Sequence, residues 1–363
     1  MTAIQLPQVL GRERWSGAVI DVDVHATIAS VDVVLPYLDE VWAQYIRERG
    51  WSGPGDYAYP PMLPTTSGAG GRSGDGDPRA LDAGAISAGV LDPWRAEYAI
   101  VNCVYALDAG HPDLAAAMAR AANDWLIAEW LEKDSRLRAS IVLPSPRDPA
   151  AMAAEIRRVG DHPGFVQALL PVRSGRMYGN RMFHPLFEEL QRHDLVAGIH
   201  WGGNNDGRAI TAAGWPSWYA EEYAGEIVMY QAQLSNLVAE GVFQLFPDLR
   251  VAMLEGGFTW LPGWMWSAVS YWKPSRRELP WLDRSPAAIV RDHVRFSVAP
   301  AHAPSAGELA VVYSWLGTDD LLMFATDYPH EHGDDVETLL AAVPDTAKPK
   351  LMSENAREWY RLP

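Results

Sequence analysis

Short apolar runs bounded by turn residues recur along the chain, with helix-like stretches between them. The runs are AVIDVDVH near 18–25, YAIVNCVY near 98–105, LRASIVLP near 137–144 and GFVQALLP near 164–171, then LVAGIHWG near 195–202, LRVAMLEG near 249–256, HVRFSVAP near 293–300 and LLMFATDYP near 321–329. Such repeated βα units build a parallel sheet, and about eight of them close into a barrel. The expected fold is therefore α/β: a distorted (β/α)8 TIM-like barrel over 1–363 as a single unit.

The intervening segments carry helix signals. DLAAAMARAANDWLIAEWLEKD from Asp113, opened by Pro112, is alanine-rich and amphipathic, and PAAMAAEIRRV follows Asp148 as cap with proline at the first helical position. AGEIVMYQAQLSNLVAEGVFQLFP predicts one long helix, and AKPKLMSENAREWYRL a closing packing helix. One stretch exceeds a bare barrel. Between the first two strands, 26–91 form an insertion whose middle, GPGDYAYPPMLPTTSGAGGRSGDGDP, predicts a long irregular loop that could cover a pocket or reach a neighbouring subunit.

The first strand is unusual in a different way. Val19, Ile20, Val22 and Val24 read as buried, yet Asp21, Asp23 and His25 alternate with them. At i, i+2 and i+4 these groups would share one face. Burying two carboxylates and an imidazole together costs several kcal/mol unless something compensates them, and a cation would.

Composition narrows the function classes. A formal net charge of −16 argues against nucleic acid or an anionic membrane as partner. There is no apolar run of membrane-spanning length, and the first residues lack the basic-then-apolar order of a secretory signal, so a cytoplasmic protein is expected. Cys103, the single cysteine, excludes an intrachain disulfide and reads as a core residue. Of the sixteen tryptophans, Trp201, Trp215, Trp218 and Trp260 are candidates for the walls of an apolar or aromatic substrate pocket.

In a barrel of this kind the chemistry sits at the carboxyl ends of the strands. Metal-capable groups collect there: Asp23 and His25 on the first strand, His200 on the fifth, Glu255 on the sixth and Asp327 on the eighth. Singly, each is explained by a cap, a turn or a buried hydrogen bond. Together, five such groups at one end of four strands point to a metal site.

The set DVDVH, GIHWGG, LEGGFTWLP and FATDYPH, in that order and with a closing NAREWYRL, resembles the amidohydrolase superfamily, most closely its amidohydrolase-related branch. That branch holds hydrolases as well as metal-dependent non-oxidative decarboxylases of aromatic and related acids. The resemblance implies that Asp23, His25, His200 and Asp327 bind metal, that Asp327 also shuttles a proton, and that barrels of this kind pair as homodimers. Asp21, expected to point inward but deeper, and His330 would stand behind the ligands. The chain departs from many relatives in carrying Glu255 where they carry histidine, a glutamate able to act as base, to pair with a cationic neighbour or to ligate a second ion. Three carboxylates and two imidazoles suit iron or manganese as well as zinc, for one ion or two.

A divalent ion in such a shell lowers the pKa of bound water to about 7, and Asp327 or Glu255 can take the proton. The first expectation is therefore hydrolysis of an amide, ester or thioester on a sizeable apolar or aromatic small molecule. The second is decarboxylation of an aromatic or related acid with the same ligands, and the third a barrel that binds a ligand without turning it over. His302 and His332 lie on rim loops and are lesser pocket candidates; Gln167 has no settled facing, and Arg173 could meet an anionic substrate group but reads first as a surface residue.

Overall fold

The computed structural model of the chain describes residues 15–53, 82–105, 110–203, 214, 216–330 and 336–363. All eight predicted strands are present: β1 (Ile20–His25), β2 (Tyr98–Asn102), β3 (Leu137–Ile141), β4 (Phe165–Arg173), β5 (Val196–Gly203), β6 (Val251–Leu254), β7 (Val294–Ser297) and β8 (Leu322–Met323). They pair in parallel in sequence order. The amides of Val22 and His25 donate to the carbonyls of Phe324 and Tyr328 at 3.0 and 2.8 Å, which brings the end of the chain's last strand back against the first. The result is a nearly closed (β/α)8 barrel with an insertion between β1 and β2.

Two apolar layers hold it. The larger packs the outer faces of the strands against the helices, and Cys103 belongs to it. The smaller joins inward residues such as Ile20, Val22, Leu169 and Val196 to Trp359, Tyr360 and Leu362 of the closing segment. That segment seals the amino-terminal end of the barrel, where Arg250 at the start of β6 donates to the Trp359 carbonyl. Chemistry is thereby left to the opposite rim.

The helices follow their caps. Pro112–Leu126 and Pro149–Val159 start at a proline, and Asp148 accepts from the Ala151 amide as predicted. The single long helix expected after β5 is instead three: Tyr219–Gly225, Ile227–Ala239 and Val242–Leu245. Gly241, at φ 71°, breaks the last two apart, because left-handed backbone cannot continue a right-handed helix. Within the insertion Glu40–Arg49 is helical and residues 83–91 return toward β2 through short helical turns, whereas 54–81, the bulk of the expected irregular loop, fall outside the described residues. Among the described residues no helix is long and apolar enough to cross a membrane.

One sequence expectation fails inside β1. Asp21 lies opposite Ala99, but Val24 lies opposite Val101, so the register slips between them. Two residues of β1 there face one of β2, a bulge that reverses the alternation. Asp23 and His25 look into the barrel beside Asn102, while Asp21 falls on the other face, level with Ala99 and Val101. The three polar groups do not share a face.

Candidate metal centre

β1 delivers Asp23 and His25, β5 delivers His200, and the segment after β8 delivers Asp327. All four are buried, and each offers a ligand atom within 4.8 Å of the others. His25 Nε2 lies 2.7 Å from Asp327 Oδ1 and 3.6 Å from Asp23 Oδ1, and His200 Nε2 lies 3.3 Å from Asp23 Oδ1. Asp327 is pinned to the first strand, its amide donating to the Asp23 carbonyl at 3.0 Å.

The donor set fits a divalent cation. Asp23 Oδ2 and His200 Nε2 are buried without a hydrogen-bond partner among the described residues. Leaving such atoms unsatisfied costs about 1–3 kcal/mol each. His200 Nδ1 is 2.7 Å from the Trp201 carbonyl, which can only accept, so Nδ1 carries the proton and Nε2 faces Asp23. Burial works to lower the pKa of His200, but the carboxylates of Asp23 and Glu255 override it and push it up to about 10. The local field thus calls for positive charge. For His25, burial and then the neighbouring His330 lower the pKa, against the pull of Asp327 and Asp23.

Glu255 stands at the end of β6, buried, with Oε2 3.6 Å from His200 Nε2. With Asp327 and His330 it forms a second set of ligand atoms within 4.8 Å, Asp327 being common to both sets. His330 Nδ1 is 3.2 Å from Asp327 Oδ1 and its ring centroid 4.4 Å from that of His25. Glu255 and Asp327 both adopt left-handed backbone, at φ 55° and 56°. That conformation costs roughly 1–3 kcal/mol in a non-glycine residue and gathers at functional sites.

Asp21 is corrected from an inward group to a brace. It accepts from the Asp23 amide at 3.1 Å and from the Thr326 amide and hydroxyl at 3.1 and 2.6 Å. It therefore ties the bulge to the segment after β8 that carries Asp327. Burial, partly offset by these bonds, pushes its pKa up to about 7.

Behind the ligands lies a chain of polar side chains that no sequence pattern connects. Asn102 Nδ2 donates to Asp23 Oδ1 at 2.7 Å, Ser140 and Gln167 donate to Asn102 Oδ1 at 2.5 and 3.2 Å, and the Tyr360 hydroxyl donates to Gln167 Oε1 at 2.9 Å. Gln167 thus faces inward. Gly198 is bare for its sake, since a Cβ there would overlap the Gln167 amide. Partners that orient a ligand typically contribute 10–100-fold in metal affinity. Asn102→Ala is expected to weaken manganese binding by about that factor, as measured by calorimetry, and to lower the melting temperature by a few degrees, because Asp23, Ser140 and Gln167 each lose a buried partner.

At the rim, Arg173 is not a surface residue. Its side chain is only 9% exposed, pairs with the buried Glu222, and lies 4.2 Å over the Trp201 ring. Tyr223 packs edge-on to Trp201 at 6.4 Å and to His302 at 5.8 Å, so Trp201 and His302 belong to one aromatic rim. Trp260 donates to the Gly256 carbonyl at 2.9 Å and packs on Phe296, against the core. Trp218 is 74% exposed and stands in solvent, because it caps the start of Tyr219–Gly225 instead of packing beneath it. Trp215 and His332 lie outside the described residues. Asn102, Glu222 and Glu226 escaped the sequence; only Asn102, a polar residue closing an apolar run, carried the signal that exposed the ligands.

The chain is similar to several known proteins. A gamma-resorcylate decarboxylase from Rhodococcus jostii (strain RHA1) is 28% identical over 237 residues, spanning 59% of this chain and 67% of that one. Among solved structures, an amidohydrolase from Mycobacterium avium subsp. paratuberculosis K-10 superposes with a TM-score of 0.72 at 19% identity, covering 95% of this chain and 98% of the other. A 5-carboxyvanillate decarboxylase from Novosphingobium aromaticivorans DSM 12444, complexed with manganese and 4-hydroxy-3-methoxy-5-nitrobenzoic acid, gives 0.69 at 20% identity, covering 97% of each chain. The profile of the amidohydrolase family matches residues 20–362, from the first residue of β1 to the closing segment that seals the barrel. With barrel, rim cluster and family profile spanning the same residues, the chain belongs to the amidohydrolase family.

Proposed function

We propose that the chain is a metal-dependent, non-oxidative decarboxylase of a hydroxylated aromatic acid. The observation that carries this reading is the buried convergence of Asp23, His25, His200 and Asp327 in a chain similar to a gamma-resorcylate decarboxylase and to a manganese-containing 5-carboxyvanillate decarboxylase. The expectation of hydrolysis gives way to it: the ligands would serve either reaction, and the named relatives favour loss of CO2.

Asp23, His25, His200 and Asp327 would hold one divalent ion, and manganese, present in the carboxyvanillate relative, suits two carboxylates and two imidazoles. When bound, the ion supplies positive charge that neutralises and orients oxygens of an anionic substrate. Asp327 is placed to move a proton: its carboxyl meets His25 and His330 at 2.7 and 3.2 Å. It would deliver that proton to the ring carbon as the carbon–carboxylate bond breaks, the bonding pair staying on the ring and CO2 leaving. Glu255 would help hold the proton inventory of the site through its contact with His200. Trp201 and Tyr223 would wall the ring and keep water from it, as aromatic pocket residues do.

The test is direct. Manganese-loaded protein should release CO2 from 2,6-dihydroxybenzoate or 5-carboxyvanillate, and chelation should stop it. Hydrolysis across a panel of activated esters, with no CO2 from either acid, would restore the hydrolytic reading.

A further inference from the structure

Glu226 is the buried carboxyl that the mechanism leaves unused. It sits at the start of the helix Ile227–Ala239, is 1% exposed, and neither of its oxygens meets a hydrogen-bond donor among the described residues. It is not a stray group far from the chemistry. Its amide donates to the carbonyl of Tyr223 in the aromatic rim at 3.3 Å, and Tyr230, one turn further on, donates to the Leu254 carbonyl beside Glu255 at 2.6 Å, so the helix start lies between the rim and the metal-capable cluster, whose charges act on it. The cation that acts on it, Arg173, already pairs with Glu222 and covers Trp201.

A buried carboxyl without a partner is costly to the fold. Groups retained at such a cost are characteristic of sites that receive a ligand's polar group, because a site built to hydrogen-bond a hydroxyl rejects the analogue that lacks it. We propose that Glu226 is a specificity-determining residue whose carboxyl hydrogen-bonds a ring hydroxyl of the substrate, one not engaged by the metal ligands. This rests on the reading of the site as acting on hydroxylated aromatic acids. Burial first, then Glu255, push the pKa of Glu226 up to about 9, which leaves a carboxyl able both to accept from a hydroxyl and to donate to it.

Calorimetric titration of the manganese-loaded protein with 2-hydroxybenzoate, and with the dihydroxybenzoates that each add one hydroxyl to it, tests the assignment. At least one isomer should bind roughly tenfold tighter than 2-hydroxybenzoate in the wild type. The ratio should fall to within about twofold in Glu226→Leu and to an intermediate value in Glu226→Gln, which keeps an acceptor. Glu226→Leu should also melt higher than the wild type by roughly 2 °C, since an apolar side chain removes the buried unpaired group. Absence of any isomer preference in the wild type, or a preference surviving intact in both variants, overturns the assignment. So does a lower melting temperature in Glu226→Leu. CO2 release is followed in the same samples: a Glu226-dependent preference without CO2 sinks the decarboxylase reading alone, and CO2 release without a preference sinks the role of Glu226 alone.

Discussion

Asp327→Asn should fold, keep its place against His25, and lose decarboxylation by roughly a thousandfold in kcat, within the range a positioned proton donor contributes. The substitution preserves the side chain's shape, so the amide bond to the Asp23 carbonyl and the left-handed backbone at φ 56° have no reason to change. What it removes is the negative charge facing His25 at 2.7 Å and the capacity to carry a proton between the cluster and the substrate. At saturating manganese KM should move much less than kcat, since the aromatic rim of Trp201 and Tyr223 is untouched. Steady-state CO2 release, alongside metal content and a melting curve, checks this. Activity within tenfold of the wild type would remove Asp327 from the chemistry.

The second large effect concerns the cation itself. Metal-stripped protein should gain stability when manganese is added, by about 2.7 kcal/mol at a hundredfold excess over Kd, because the ion binds the folded cluster and not the unfolded chain. His200→Ala should abolish that gain at the same concentration. The imidazole is held by the Trp201 carbonyl at 2.7 Å, and its Nε2 faces Asp23 with no hydrogen-bond partner among the described residues. The affinity loss should exceed the 10–100-fold expected for Asn102→Ala, which only orients a ligand. Melting temperature against manganese concentration measures both; equal shifts in wild type and His200→Ala would place the ion elsewhere.

Much of this was legible because a barrel strand advertises itself. Runs such as GFVQALLP and LVAGIHWG are apolar nearly throughout, as strands buried on both faces must be, and a histidine or aspartate closing such a run is conspicuous. His200 and Asp327 were found on that signal, and so could Asn102 have been. The bulge in β1 is not legible, since nothing in IDVDVH marks the point where alternation reverses; strict alternation therefore sets Asp21 on the wrong face. The burial of Arg173 is not legible either, because its partner, Glu222, lies 49 residues away on a helix whose docking no local pattern fixes. Glu226 escaped for the same reason. A carboxyl in a helical stretch reads as a solvated face until the helix is seen packed over the rim. Trp218 errs in the opposite sense, an aromatic that the loop leaves in water.

The measurement that bears most directly on the account is anomalous diffraction from a crystal of the manganese-loaded protein. One strong peak should lie within bonding distance of Asp23, His25, His200 and Asp327 together, and it should vanish in His200→Ala. A map with no peak at that cluster, from protein that still turns over its acid, would contradict the claim that these four side chains are gathered to hold a cation.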